Sequence, residues 1–208
     1  MLLPPLTFGD GHLSPVPQAV ALLGAGCVLR DGKDQNDVNK VVAALASWSK
    51  EHHPGLLAAL TPKYAFGSSQ DMLFLNWMPF ESLEKFDNAL ASDFEKEQKL
   101  LIDVMDCGSF AGGWYNMHLP NSVIESDTPM VMITRYDAVE GMSTEAVGAA
   151  FSQVGQTMKE NNVLNSLSVM DHGPGTREFS GDFSVFQAFP DAAAVASEFN
   201  RYWNEGGW

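Results

Sequence analysis

Residues 72–86, Met-Leu-Phe-Leu-Asn-Trp-Met-Pro-Phe-Glu-Ser-Leu-Glu-Lys-Phe, pass from strand to helix within one short stretch. Met72 to Trp77 is apolar and aromatic, as a packed strand requires. Pro79 pre-sets a helix start, and Leu83, Phe86, Leu90 and Phe94 then recur on one stripe. The same order returns at Phe183 to Phe189, where Pro190 precedes Asp191, a helix cap, and Val195, Phe199 and Tyr202 follow at helical spacing.

The pattern extends upstream of both stretches. Ala19 to Leu23 is an apolar run, and Gly26 to Arg30 reads as a strand. Asp34 or Asn36 caps a helix whose face is Val38, Val41, Val42, Leu45 and Trp48. His52 and His53 fall at its end, as favourable C-terminal groups, and Pro54-Gly55 stops it. Leu56 to Leu60 reads as a strand, and Tyr64 to Asp71 as the turn before Met72. A further amphipathic piece reaches about Met105, and Phe110 to Leu119 has room for a closing strand. In the second half, Met130 to Tyr136 is β-prone. Ser143 or Thr144 caps a helix bearing Val147, Ala150, Phe151, Val154 and Met158. Leu164 to Met170 alternates as a half-buried strand, with Leu167 and Val169 on one face and Ser166 and Ser168 on the other. His172-Gly173-Pro174-Gly175 is a turn. Residues 26–94 and 130–203 thus share the order strand, helix, strand, strand, helix. They share a pattern rather than residue identities. The expected division is an irregular arm over residues 1–18, a first unit over 19–120, a linker over 121–129 and a second unit over 130–208.

Composition limits the function classes. Hydrophobic residues at 45% against 18% charged supply a core, which excludes a disordered chain. The net charge of -14 and the lack of any Lys/Arg cluster argue against nucleic acid and anionic membrane partners. The acidity is read as a solubilising surface. Cys27 and Cys107 stand far apart and form no CxxC, so both are expected to be buried thiols rather than a disulfide. The prolines near the N-terminus make a poor signal peptide, and no apolar run approaches a membrane span. The expectation is a soluble, cytoplasmic protein. Val20-Ala-Leu-Leu-Gly-Ala-Gly26 suggests a dinucleotide fingerprint, but Leu29 occupies the third glycine position and no acidic residue closes a second strand.

A strand–helix–strand–strand–helix unit fits the split βαβ, ferredoxin-like arrangement, an α+β class with helices on one sheet face. Two such units in one chain can cover each other's bare faces. On this order, the hairpin turns and the aromatic strand leading into a helix from Phe74 to Phe86, the chain resembles the dimeric α+β barrel superfamily. That superfamily includes antibiotic-biosynthesis monooxygenases, NIPSNAP-like proteins, muconolactone isomerases and haem-degrading enzymes. The resemblance covers nearly all of residues 26–203. The C-terminus departs from it, since only Asn204 to Trp208 remain for a closing strand in the second unit.

The resemblance implies a small, often aromatic ligand between sheet and helices. The matching positions are Tyr64, Asn76 and Trp77 in the first half, with Arg135, Tyr136 and His172 in the second. His172 would be the general base, its ordinary pKa lying near neutrality. Asn76 would hold an enolate oxygen, with Trp77 as a wall and Tyr64, Arg135 and Tyr136 contacting substrate. Each has a plainer alternative: Trp77 as core, Asn76 as a solvent-facing residue and His172 as a turn residue. No HxH, HxxxH or HExxH occurs, so no metal is expected. The haem-degrading relatives place a His on the helix after the aromatic strand, and residues 80–105 contain none, so no cofactor is expected either. Trp114-Tyr115 and Trp203 with Trp208, in Gly-rich surroundings, are read as plugs for the barrel ends. Expected partners are a small molecule and a second copy of the chain. Three functions remain. The first is a cofactor-independent monooxygenase or isomerase, which needs an open cavity with a polar group of shifted pKa. The second is a non-catalytic binder, which needs the cavity without that group. The third is an interaction or structural protein, its barrel packed shut by residues such as Met72, Phe74, Phe183 and Phe186.

Overall fold

Strand β1, Val20–Leu29, begins where the apolar run Ala19 to Leu23 begins, so that run and the expected strand at Gly26 form one element. The computed structural model describes residues 17–52, 56–61, 71–172 and 182–204. They fall into two compact units, one of residues 19–114 with 170–172, the other of residues 115–169 with 17–18 and 182–204.

In the first unit, β1 leads into α1 (Gln35–His52), β2 (Leu56–Leu60), β3 (Met72–Met78), a 3-10 turn (Phe80–Ser82), α2 (Leu83–Asp93), α3 (Glu95–Val104) and β4 (Met105–His118). Asp34 is the cap of α1: its Oδ1 accepts from the backbone N–H of Asn36 at 2.8 Å and of Asp37 at 3.2 Å. The α1 face is the expected one, with Val38, Val41, Leu45 and Trp48 buried. The strands run β2-β3-β1-β4, and β1 is antiparallel to both of its neighbours. Strand β3 therefore lies between β2 and β1, which is the split βαβ order of a ferredoxin-like sheet. Cys27, Met72, Phe74 and Met105 project from the sheet into one cluster with Val38, Val41 and Leu45 of α1. Each aliphatic side chain buried there contributes about 1.5–3 kcal/mol.

The second unit contains residues 115–118 of β4, then α4 (Asn121–Ile124), β5 (Met130–Tyr136), α5 (Thr144–Glu160), β6 (Leu167–His172, its last three residues grouped with the first unit), β7 (Phe183–Phe189) and α6 (Ala192–Asn204). Ser143 caps α5, its Oγ accepting from Ala146 N at 3.2 Å, and Asp191 caps α6 through Ala194 N at 2.8 Å. The strand order is β4-β6-β7-β5. Leu167, Val169 and Val185 pack with Phe151 and Met158 of α5. Ser166 and Ser168, expected on an open face, are only 3% exposed. Their hydroxyls are satisfied: Ser166 Oγ accepts from Ala188 N at 2.9 Å, and Ser168 Oγ donates to Asn116 Oδ1 at 2.9 Å. Among the described residues no strand follows α6. The fold class is α+β, built on ferredoxin-like units. Among the described residues no helix is long and apolar enough to cross a membrane.

One expectation is overturned. Cys27 and Cys107 form a disulfide rather than standing as separate thiols. Eighty positions apart in sequence, they are direct register partners across β1 and β4, with Cα atoms 4.1 Å apart. Sequence spacing says nothing about register, which is why linear distance misled. Closing a loop of this length removes about 4 kcal/mol worth of unfolded-chain entropy in the loop-closure account.

Close approach also dictates two glycines. Gly24 pairs with Phe110, and a Cβ on Gly24 would overlap the Phe110 ring. Gly155 lies mid-helix in α5, where a Cβ would overlap the Met117 carbonyl. Helix propensity alone favours Gly155→Ala by about 1 kcal/mol. The contact reverses the sign, because a backbone group cannot swing aside. Gly155→Ala should therefore destabilise by about 1–3 kcal/mol in urea unfolding, the usual cost of overpacking. A gain in stability would show that α5 does not sit this close to β4.

Candidate functional site

The helix-facing side of the first unit's sheet is unevenly covered. Over β1 and β3 the helices bury Ala21, Phe74 and Met78. Beyond Met105 and Cys107, the same side of β4 carries the small residues Ser109, Ala111 and Gly113, and Ser109 and Ala111 are exposed. These small residues leave space beside the helices rather than filling it. The result is a cavity of about 830 Å³ between the sheet and α1, α2 and α3, within the range of small-molecule sites. Leu23, Leu45, Phe74, Phe86, Leu90 and Phe94 form apolar walls. The polar side chains facing it are few: Asn76 from β3, Ser49 from α1 and Ser109 from β4, with Trp48 donating its indole N–H away to Asp93 O at 3.1 Å.

Of the six residues singled out from sequence, Asn76 lines this cavity. It stands opposite Leu23 in the sheet, and its amide donates to Leu23 O over a long 3.5 Å. Much of its hydrogen-bonding capacity is therefore left for a ligand. Trp77, the next residue, projects from the opposite face, because neighbours on a strand alternate. It packs edge-on against Trp114 at 5.3 Å, and its buried indole N–H has no hydrogen-bond partner among the described residues. Asn76 and Trp77 thus do not share a pocket. Trp114 itself is a buried strand residue. His172 ends β6, half-buried, and is not among the cavity's described walls. Arg135 and Tyr136 belong to β5 in the second unit, and both are exposed. Tyr136 stacks on its register partner Phe183 at 5.7 Å. Tyr64 lies outside the described residues, as do His53 and Trp208.

Sequence reading missed Asp171. It follows Leu167 and Val169 at period two, so the strand pattern places a carboxylate on a packed face. Burial pushes its carboxyl above the usual range, partly offset by adjacent His172. His52 was placed at a helix end, and it also covers Trp48 by stacking at 5.1 Å. His118 donates from Nε2 to Val163 O at 2.8 Å. Among the described residues no three His, Cys, Asp or Glu side chains gather as metal ligands would. Haem, which the resemblance raises, needs an axial His, Cys, Met or Tyr. The described residues lining the cavity include none of these, and no Arg or Lys to meet propionates. They do not fit that group.

Asp171 makes stability pH-dependent. Its folded pKa lies above its unfolded one, so its charge costs stability at neutral pH. That cost fades as pH falls through the raised folded pKa and is gone below the ordinary value of 3.8. Asp171→Asn should be more stable than the native chain at about pH 7, and the two should converge by about pH 3. Paired urea titrations check this, and equal stability at pH 7 would contradict it.

No family model and no curated protein matches the chain. Solved structures do. A candidate chlorite dismutase, TA0507, is similar with a TM-score of 0.56 at 10% identity, covering 88% of this chain and 85% of that one. A mutant chlorite dismutase from Candidatus Nitrospira defluvii gives a TM-score of 0.48 at 12% identity, over 87% of this chain and 81% of that one. At such identity the first likeness speaks for the fold alone, and that fold is the dimeric α+β barrel type reached from the strand order.

Proposed function

We propose that this chain binds a small, uncharged, largely apolar molecule in the cavity of the first unit, with Asn76 as its polar anchor and no acid–base catalysis at that site. The carrying observation is the composition of the walls: an open space of about 830 Å³ whose described lining holds no titratable side chain. A filled, purely structural barrel is disfavoured, because Met72 and Phe74 are buried in the core and the cavity stays open beside them. A monooxygenase or isomerase of the antibiotic-biosynthesis or NIPSNAP-like kind needs a base within hydrogen-bond reach of the ligand. One observation favours that second reading: His172 adjoins Asp171, whose carboxyl is raised by burial. It would require the ligand to contact the end of β6. The described lining includes no cation, which also disfavours a small anion such as chlorite, the substrate in the neighbours' names. Dimerisation accompanies this proposal through the resemblance, while the Cys27–Cys107 disulfide favours an oxidising compartment over the expected cytoplasmic setting.

Ligand binding must raise stability. A neutral aromatic compound at about 100 times its Kd should add about 2.7 kcal/mol, or roughly 5–10 °C in Tm for a chain of this size. Ala111→Phe, which fills exposed space on the cavity floor, should abolish that shift while leaving the unliganded Tm nearly unchanged. Asn76→Leu should weaken a carbonyl-bearing ligand about tenfold, the worth of one hydrogen bond. No shift with any neutral aromatic, or a shift that survives Ala111→Phe, would reject the site.

A further inference from the structure

The floor of the cavity ends at a covalent bond whose state can change. Cys27 and Cys107 are register partners, and the next pair on the same sheet face is Ala25 and Ser109, both of which line the cavity. One pleat, roughly 7 Å of strand, separates the disulfide from the floor. Strand β4 is poorly held on this side. Residues 108–113 read Gly-Ser-Phe-Ala-Gly-Gly, and Ser109 and Ala111 are exposed rather than packed. Phe110 anchors β4 over Gly24, but on the other face. On the cavity side, β4 is held by Met105 in the α1 core, by the disulfide and by backbone hydrogen bonds to β1, and from Ser109 onward by the backbone pairing alone.

We propose that Cys27–Cys107 is a redox latch on the ligand cavity. The inference rests on the reading of that cavity as a ligand site. With the bond formed, Ser109 and Ala111 are fixed beside Ala25 and Leu23, and the floor is ordered before ligand arrives. With the bond reduced, β4 can shift from β1 along its glycine-rich run. Ligand must then order the floor on binding, and affinity falls. The two sulfurs are not equally open, since Cys27 is fully buried and Cys107 only partly. The thiolate of a dithiol reductant attacks Cys107 Sγ, forming a mixed disulfide and releasing Cys27 as thiolate. The second thiol of the reductant then displaces Cys107 and closes the reductant's own disulfide. Two electrons and two protons pass to the cysteine pair. A reducing cytosol keeps the latch open and an oxidising compartment keeps it closed.

The test is fluorescence titration of the full chain with N-phenyl-1-naphthylamine, an uncharged arylamine, before and after dithiothreitol, with free thiols counted in each state. The Kd should rise about tenfold on reduction, within the usual span of coupling between sites, and recover on reoxidation. Near-UV circular dichroism should keep its folded signature throughout. The double variant Cys27→Ala/Cys107→Ala should bind like the reduced chain and ignore the reductant. Equal Kd in both states, a reductant effect that persists in the double variant, or unfolding on reduction would each overturn the latch. If the oxidised chain does not bind the probe, or Ala111→Phe leaves binding intact, the ligand site itself fails. If binding is present and lost in Ala111→Phe yet ignores redox state, the latch alone fails.

Discussion

Strand β1 is hydrogen-bonded along both edges, to β3 on one side and to β4 on the other. The first unit depends on that double pairing. A central strand must present side chains that its neighbours on both faces can accommodate. The run Val20-Ala-Leu-Leu-Gly-Ala-Gly-Cys-Val-Leu29 does so by alternating bulk with near-absence of side chain. Leu22 is completely buried, and Gly24 is kept bare for Phe110. On the helix side, Ala21 and Ala25 leave the room that becomes the cavity. Gly24 admits Phe110 of β4 on one face, and on the other Ala25, Ser109 and Ala111 leave the space above them unfilled.

The polar economy of the two units differs. In the first, the sheet's helix face is almost wholly apolar, and Asn76 is the exception on β3. A lone amide on such a face is costly to bury unless it is bonded, and its long bond to Leu23 O leaves it ready for another partner. In the second, Ser168 on β6 and Ser166 just before it are buried and are satisfied by Asn116 and the β7 backbone. Satisfied groups of this kind specify register, because a one-residue slip would expose hydroxyls to apolar neighbours and strand their partners. The apolar cavity therefore suits ligand binding, and the buried serine row suits structure.

Much of the element plan was legible. Helix caps at Asp34, Ser143 and Asp191 rest on local hydrogen bonds that sequence spacing encodes directly. The stripe Val38, Val41, Leu45, Trp48 follows from helical period alone. Strands β5 and β7 match their expected limits, being short apolar runs between breakers. Strand β4 was expected from Phe110 and starts at Met105, because Gly108, Gly112 and Gly113 obscure its β character and only pairing with β1 reveals it. Ser166 and Ser168 read as open-face residues, because alternation shows which residues share a face and not whether that face is covered.

The candidate site was less legible. Asn76 could be found because it interrupts an apolar strand, and it does line the cavity. Grouping it with Trp77 ignored the direction in which consecutive strand residues point. Asp171 could have been found by extending the alternation of Leu167 and Val169. What the sequence determined by itself was local: caps, periods, breakers and the repeated order of elements, all set by interactions within a few residues. Only the tertiary structure decided that Cys27 meets Cys107, that Gly24 sits under Phe110, and that the side chains of β4 leave a cavity open. Each depends on the register between strands distant in sequence, and register is settled by packing across the sheet.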